Sequence, residues 1–344
     1  MKKIKVAVIG CGFIATQAHI PNLFLIPDAE LVALCDRNEN NLRKVAEEYT
    51  TLKLNLYTKV DKVCSRKDID AFVICTPSST HHEIALKAAR AGKHVFVEKP
   101  ISHTVKQAEE MVRAFAEAKL KLAVGYYLEW MPHHIYVKKN IRKGKLGKVL
   151  NITVHDEILR IKPEEGIIMD LAPHYIDLIR WYFEDIPIKS VFAVSRKYDQ
   201  SEDHKEGMTE IKLFFGNDII GNLELYWLPG FKNRDGCSKY LKIIGTEGKY
   251  TTGLTSANIE VFRARNFLNK LRGPFEFVPK YVALPQMPVQ TTSFRKELED
   301  FVSSILNDRE PQIPGSIGLH VMKIIEACYK SISECTVVNL NESS

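Results

Sequence analysis

The stretch that decides the fold is Ile4-Lys5-Val6-Ala7-Val8-Ile9 followed by Gly10-Cys11-Gly12-Phe13-Ile14-Ala15. The first six residues predict an apolar strand, and the next six read G-x-G-x-x-A and enter a segment with helical spacing. The first glycine allows a tight bend, the second lets the backbone approach a pyrophosphate, and the small third residue lets the helix pack closely on the strand. N–H groups at a helix start bind phosphate. The turn therefore predicts a dinucleotide site that includes Gly10, Gly12, Phe13 and Ile14.

An acidic residue follows the second predicted strand, Glu30–Cys35. Asp36 stands where a carboxylate would accept hydrogen bonds from both hydroxyls of the adenosine ribose. The same charge repels a 2′-phosphate and favours NAD, whereas the neighbouring Arg37 could soften that repulsion and leave NADP possible. The alternative is a tight turn followed by a surface aspartate.

The chain up to about residue 124 alternates short β-branched runs with helical patterns, which predicts a parallel sheet covered by helices. The predicted strands are Ile4–Ile9, Glu30–Cys35, Ala71–Cys75, His94–Val97 and Leu122–Val124, and the predicted helices are 41–49, 80–91 and 104–119. The fold class is therefore α/β, with an N-terminal Rossmann sheet.

The sequence pattern changes after about residue 148. Longer strands separated by turns there predict an α+β domain with a mostly antiparallel open sheet. Its predicted strands are 149–154, 189–196, 208–215, 218–227 and 239–244, interrupted by one helix over 170–183 and followed by helices over 293–307 and 316–333. Residues 252–292 show no clear period. The expected domains are 1–124 for the dinucleotide, 125–315 for substrate and oligomerisation, and 316–344 as a C-terminal helix and tail.

The bulk composition limits the class of protein. The chain has 344 residues and a net charge of +6, with seven cysteines and no C-x-x-C pair. We expect a cytoplasmic, reduced protein with neither a secretory signal nor a membrane span, and no nucleic-acid partner. The basic stretch 263–280 is either a solvated face or an attraction for a phosphorylated substrate.

Four segments together resemble the Gfo/Idh/MocA family of oxidoreductases. They are the Gly10–Ala15 turn, Cys75-Thr76-Pro77-Ser78-Ser79-Thr80-His81, Glu98-Lys99-Pro100 and Asp170-Leu171-Ala172-Pro173-His174-Tyr175-Ile176-Asp177. The resemblance runs from residue 4 to about 334, apart from 252–292. The glycine turn is common to many families, whereas E-K-P after a Rossmann strand with a later D-x-x-x-H is much more specific.

The resemblance implies a role for individual positions. Thr76, Pro77 and His81 would lie in a strand-end loop on the nicotinamide side of the cofactor, and Glu98 would contact the nicotinamide ribose. Lys99 would sit beside the nicotinamide, held by a cis bond to Pro100. The remaining members of the catalytic set would be Asp170 and His174.

Two departures from the family pattern stand out. Family members often carry Asn and Arg after the last Rossmann strand, but this chain reads Gly125-Tyr126-Tyr127-Leu128-Glu129-Trp130, with Glu129 in place of the arginine. The usual glycine pair before the catalytic aspartate is reduced to Gly166. Any contact that the arginine makes in relatives is therefore in doubt here.

Each candidate catalytic residue also has a plain structural interpretation. Lys99 could be a solvated lysine at a strand end, Asp170 could be the N-cap of its helix, and His174 could be a satisfied core histidine. The doublets His81-His82 and His133-His134 raise the question of a metal, but adjacent residues point apart and no convergent carboxylates accompany them, so no metal site is expected.

These interpretations predict an NAD(P)-dependent dehydrogenase acting on a CH–OH group of a sugar, cyclitol or sugar derivative. His174 would act as general base, Lys99 would stabilise the alkoxide, and Asp170 would orient neighbouring groups. The alternatives are a lyase or glycosidase that recycles NAD within its site, and a cofactor-binding sensor without turnover. The second domain predicts a homodimer or homotetramer formed through an exposed apolar sheet face. Its expected residues are Val191, Ala193, Ile211, Leu213, Leu223 and Leu225.

Overall fold

The structure, a computed structural model, describes residues 3–49, 54–159, 165–197, 206–228, 237–255, 258–263, 280–283 and 289–340. The chain forms two compact units. The first comprises Met1–Trp130 and Met287–Met322, and the second comprises Met131–Gln286 and Lys323–Ser344. The first unit is therefore discontinuous along the chain.

The first unit is built on a six-stranded parallel sheet with the order β3-β2-β1-β4-β5-β6. This order is that of a Rossmann fold and confirms the prediction from the sequence. The strands are β1 (Ile4–Ile9), β2 (Ala29–Cys35), β3 (Asn55–Tyr57), β4 (Ala71–Ile74), β5 (His94–Glu98) and β6 (Leu122–Gly125).

Helices connect these strands and form the outer layers of the unit. They are α1 (Ile20–Leu23), α2 (Glu39–Glu48), α3 (Val60–Cys64), α4 (His81–Arg90), α5 (Val105–Glu117) and, from the later segment, α8 (Val289–Leu306). Side-chain caps fix two of the helix starts. Asn38 accepts the Asn40 N–H before α2, and Thr104 accepts the Gln107 N–H before α5, which satisfies N–H groups that have no partner inside a helix.

The core of the first unit joins both parts of the chain. Buried side chains of β1, β2 and β4 pack with Leu298, Phe301 and Val302 of α8. These three residues recur at helical spacing and form the apolar face of that helix. Helix α8 therefore completes the core that the first 130 residues begin.

The second unit is built on a nine-stranded sheet with the order β14-β13-β12-β11-β7-β10-β9-β8-β15. Among the described strands all neighbours are antiparallel except β7 and β10, so the expected mostly antiparallel sheet is confirmed. The strands are β7 (Val149–Ile158), β8 (Ile188–Arg196), β9 (Met208–Phe215), β10 (Ile220–Trp227), β11 (Lys239–Gly245), β12 (Gly248–Gly253), β13 (Asn258–Arg263), β14 (Lys280–Ala283) and β15 (Val338–Asn339).

Helices α6 (Pro132–Arg142) and α7 (Gly166–Tyr182) belong to the second unit, and α9 (Gly315–Glu334) spans the boundary between the units' segments. The structure adds β13 and β14 in the stretch that the sequence left without a period, and β12 ends two residues into it. Most of the basic stretch 263–280 lies outside the described residues. Across the helices that are described, none is long and apolar enough to span a membrane.

The expected apolar face of the second sheet is not exposed. Val191, Ala193, Ile211, Leu213, Leu223 and Leu225 are all buried within the chain, and α7 packs on β9 and β10. The expectation that these residues form a contact surface is therefore wrong. The alternation of apolar residues along these strands does mark one face of the sheet, but α7 of the same chain packs against that face. The opposite face, which we call the open face, carries Phe192, Val194, Met208, Phe214, Ile220 and Tyr226 among charged residues.

Candidate active site

The glycine turn joins β1 to its helix with one strained position and one open position. Gly10 has φ +91°, and a Cβ there would lie 2.8 Å from the backbone of Cys75. Gly12 is exposed, and a Cβ there would meet nothing within 4 Å. The turn thus offers an open backbone surface next to the end of β4, which fits the close approach of a dinucleotide's phosphates. Phe13 is 77% exposed beside it.

The helix after the turn begins irregularly. Ala15–His19 form a π-helical turn that continues into α1. Pro21 is the second residue of α1. Proline cannot donate the hydrogen bond of a regular helix, and π turns cluster at functional sites. This irregular turn carries the buried side chain of His19.

Asp36, at the end of β2, ties the glycine turn to the next segment. One carboxylate oxygen accepts the N–H of Cys11 at 2.8 Å and the other accepts the N–H of Asn38 at 2.7 Å. Asn41 Nδ2 also donates to the first oxygen at 3.4 Å. A carboxylate has about four lone-pair positions, so Asp36 keeps capacity for a ribose hydroxyl. Arg37 beside it is exposed. Burial and the charge of Asp36 raise the pKa of the Cys11 thiol to about 12, so this cysteine packs as a neutral group.

The loop after β4 is held by His81. Its Nδ1 lies 2.9 Å from the carbonyl oxygen of Pro100 and its Nε2 lies 2.8 Å from that of Thr76. A neutral ring donates from one of these nitrogens, and an imidazolium donates from both. His81 therefore links the ends of β4 and β5, while Pro77 lies exposed between them. The Lys99–Pro100 peptide bond is cis.

Glu98 and Lys99 follow at the end of β5. Glu98 is buried, with one carboxylate oxygen 2.5 Å from His19 Nε2 and the other accepting the backbone N–H of Lys99 at 3.2 Å. Burial raises the pKa of Glu98, but the hydrogen bond and charge of His19 outweigh it and the pKa is lowered. Lys99 is half-buried.

Two residues in this part of the first unit were missed from the sequence, His19 and Glu297. Glu297 of α8 is buried, and one of its carboxylate oxygens lies within 4.8 Å of both Glu98 and His19. The missed signal was present in the sequence. Glu297 stands on the apolar face of α8, between Phe294 and Leu298, where a charged residue needs an explanation.

In the second unit, α7 carries both Asp170 and His174, which are half-buried and one helical turn apart. The helix begins at Gly166 with Glu165 as its N-cap residue, so the interpretation of Asp170 as the N-cap is wrong. Pro173 also lies inside the helix. Residues four apart share a helix face, so Asp170 and His174 point to the same side of α7.

Several other polar residues are buried and contact groups in the interior of their unit. Glu129, the departure from the family pattern, is buried and accepts a hydrogen bond from Gln312 at 3.1 Å. Asp177 pairs with Arg180 at 2.9 Å and is buried. The rings of His133 and His134 lie 4.2 Å apart, so these adjacent side chains do not point apart as expected. Both face the carbonyl oxygen of Leu254.

The first unit thus gathers candidate positions at one edge of its sheet. Gly10, Asp36, Thr76 and Lys99 follow the carboxyl ends of β1, β2, β4 and β5, and strand order reverses between β1 and β4. Ligands of open α/β sheets bind at such a reversal, beside the carboxyl ends of the strands. The residues present therefore fit a dinucleotide.

Two family models match nearly the whole chain. The model described as "Oxidoreductase family, NAD-binding Rossmann fold" of the GFO_IDH_MocA group covers residues 4–126, and "Oxidoreductase family, C-terminal alpha/beta domain" covers residues 138–340.

Individual relatives match this chain over nearly their full length. The chain is 25% identical to myo-inositol 2-dehydrogenase of Thermotoga maritima, over 98% of this chain and 99% of the relative. It is 27% identical to glucose-6-phosphate 3-dehydrogenase of Bacillus subtilis, over 96% of each. Among solved structures, aldose-aldose oxidoreductase from Caulobacter crescentus complexed with glycerol superposes with a TM-score of 0.82 and 26% identity, over 98% of this chain and 100% of that one.

Proposed function

Because the chain belongs to the Gfo/Idh/MocA oxidoreductase family, we propose that it is a dehydrogenase that oxidises a secondary alcohol of a sugar, cyclitol or sugar derivative. The observation that carries the proposal is the edge of the first sheet, where the glycine turn, Asp36 and Lys99 follow the carboxyl ends of β1, β2 and β5. A cofactor site and a cationic side chain at one sheet edge suit hydride chemistry on a hydroxyl-bearing carbon. The names of the relatives favour a polyhydroxylated substrate.

We assign the chain's own residues three roles, namely stabilising the alkoxide, accepting the proton and orienting the substrate. NAD, when bound, supplies the hydride chemistry. The ammonium of Lys99 stabilises the alkoxide that develops as the substrate hydroxyl loses its proton. His174 takes that proton as general base. Asp170, one turn away on α7, favours the protonated form of His174 and orients substrate groups.

We expect NAD to bind more tightly than NADP because Asp36 places a negative charge where a 2′-phosphate would lie. The expected preference is at least tenfold, about 1.4 kcal/mol. Asp36→Ser should reduce it, and titration of each cofactor by intrinsic fluorescence measures it. NADP binding tenfold more tightly than NAD to the unaltered protein would refute the assignment.

The activity is tested with a panel of cyclitols, aldoses, phosphorylated aldoses and nucleotide sugars, each with NAD and with NADP. A dehydrogenase accumulates reduced nicotinamide in proportion to product, which absorbance detects. A lyase or glycosidase that recycles its cofactor forms product without that accumulation, and a sensor forms none.

The catalytic roles are tested by Lys99→Met and His174→Ala. Loss of a general base or of an electrostatic stabiliser lowers turnover by roughly 10² to 10⁴, and we expect NAD affinity to stay within about threefold. Lys44→Met and His82→Ala are matched controls, because Lys44 is exposed on α2 and His82 pairs with Glu110 on a helix surface. If either catalytic variant keeps more than about a tenth of the turnover, its assigned role is wrong.

A further inference from the structure

The cluster of His19, Glu98 and Glu297 places two carboxylates and an imidazole in the interior of the first unit. The three residues are 0%, 8% and 4% exposed, and one ligand atom of each lies within 4.8 Å of the others. They come from three elements, namely the π-helical turn, β5 and α8. Such a group is costly to bury unless its charges are compensated.

Hydrogen bonding distinguishes the two carboxylates. Glu98 accepts from His19 Nε2 and from the backbone of Lys99. No described residue donates a hydrogen bond to either carboxylate oxygen of Glu297. A carboxylate accepts hydrogen bonds only, whereas a carboxylic acid also donates one. Glu297 therefore lacks the contacts that a buried anion requires.

The charges of the cluster lead to the same conclusion. One positive charge on His19 would offset only one of two ionised glutamates, which leaves a net charge of −1 among side chains of residues that are at most 8% exposed. One proton on a carboxylate removes that charge. Burial and the negative charge of Glu98 both raise the pKa of Glu297 well above its usual value.

A metal ion is the rival occupant, since His, Glu and Glu are metal ligands. The 2.5 Å between His19 Nε2 and Glu98 Oε1 speaks against it. Two ligands each about 2.0–2.2 Å from one tetrahedral ion lie more than 3 Å apart. A separation of 2.5 Å is that of a short hydrogen bond with a proton already between the atoms.

We propose that Glu297 is a neutral carboxylic acid at neutral pH, and that its O–H and the N–H of His19 together hold Glu98 as a carboxylate in position at the end of β5. Glu297 and His19 are thus positioning residues, and they act through Glu98. The inference rests on the proposed function only in assigning a dinucleotide as the ligand of Glu98. Among the described residues, the other titratable groups that face the cluster are Cys75 after β4, Lys99 after β5 and His81 of α4.

The protonation state is tested by NMR of the whole protein labelled at the glutamate side-chain carboxyl carbon. At pH 7 we expect one resonance at the position of a protonated acid, and Glu297→Gln should remove it. Glu299→Gln, on the same helix but partly exposed and paired with Arg295, should leave it in place. Absence of that resonance, or a stoichiometric divalent metal in elemental analysis of the purified protein, overturns the proposal.

The positioning role is tested by NAD affinity, which needs no substrate. Glu297→Gln keeps a neutral donor, and we expect its NAD affinity to lie within about twofold of the unaltered protein. Glu297→Leu removes the donor and should weaken NAD binding about tenfold, in the same direction as Glu98→Gln. If Glu297→Gln weakens binding as much as Glu297→Leu, Glu297 acts as an anion and the proposal is wrong. Failure of the sugar panel would refute the proposed function and leave both these measurements intact.

Discussion

Gly10 and Gly12 lie two residues apart in one turn and have different surroundings. Alanine at position 10 needs a left-handed backbone and places its Cβ 2.8 Å from the backbone of Cys75. A left-handed conformation alone costs an L-residue roughly 1–2 kcal/mol, so we expect Gly10→Ala to lose about 2 kcal/mol or more of the free energy of unfolding.

Gly12→Ala is the matched variant, because the added methyl group meets nothing within 4 Å. We expect nearly unchanged unfolding by urea but an NAD affinity about tenfold lower, since the methyl group occupies the approach of the phosphates. Equal loss of stability in both variants would contradict this separation of folding from binding.

Glu297 also predicts a pH dependence of stability. Its pKa is raised well above 4.5 in the folded protein, so above pH 4.5 the folded state binds a proton that the unfolded state releases. The glutamate therefore destabilises the folded protein increasingly as pH rises towards the folded pKa, by at most about 1.4 kcal/mol per pH unit.

Glu297→Gln carries no such proton, so its stability relative to the unaltered protein should increase between pH 5 and pH 8. Urea unfolding at several pH values measures the difference, with Glu299→Gln as control. A difference that stays constant over this range would show that Glu297 is ionised in both states.

At the scale of elements, α6 is fastened to the loop after β12 by two histidines. Nε2 of His133 and of His134 lie 3.3 and 3.2 Å from the carbonyl oxygen of Leu254, and Tyr182 lies 2.9 Å from His134 Nδ1. The neutral ring of His134 donates from Nε2 and accepts at Nδ1, so both nitrogens are satisfied. Burial lowers the pKa of His133 to about 4 and that of His134 well below its usual value.

The contact of His133 and His134 with Leu254 should weaken in acid. Below pH 6.5 the two histidines are protonated in the unfolded chain but stay neutral in the folded protein. The free energy of unfolding therefore falls as pH decreases towards 4, by up to about 1.4 kcal/mol per pH unit for each histidine. His133→Gln keeps a donor for Leu254 and should lose less stability over that range, as urea unfolding at pH 4.5 and pH 7 would reveal. An equal acid loss in the variant would rule out His133 as a cause.

The elements also show what periodicity can predict. Strands β1 and β9 match their predicted bounds, because β-branched alternation and flanking turns mark both ends. Strand β3 was missed because it has three residues and largely exposed side chains. Helix α7 begins four residues before its predicted start because Asp170 resembled an N-cap, yet Asp170 lies inside the helix. Of the candidate site, the glycine turn and Asp36 follow from local pattern, whereas the meeting of His19 with Glu297 depends on packing that no local pattern contains.

At the scale of the whole molecule, we expect a homodimer or a tetramer built from dimers, formed through the open face of the second sheet. Val194, Met208 and Ile220 are 46%, 43% and 38% exposed there, with half-buried Phe192, Phe214 and Tyr226 among them. Exposed apolar and aromatic groups together on one sheet face favour a self-complementary contact.

Light scattering at micromolar concentration tests this expectation. Val194→Asp should reduce the mass towards that of one chain without loss of secondary structure, whereas Leu150→Asp, at an exposed end of β7, should leave it unchanged. An unaltered protein that is already monomeric would exclude the assembly.

The path of the chain through its two units could not be read from the sequence, because an amphipathic helix does not indicate which sheet it covers. That path has a consequence for synthesis on the ribosome. The core of the first unit needs Leu298, Phe301 and Val302, yet these emerge only after the whole segment Met131–Gln286 has been translated. Domains usually fold in the order in which they are made, but here the first 130 residues must wait with part of their apolar surface uncovered. We therefore expect the nascent chain to engage chaperones during that interval and to be released from them when α8 leaves the exit tunnel.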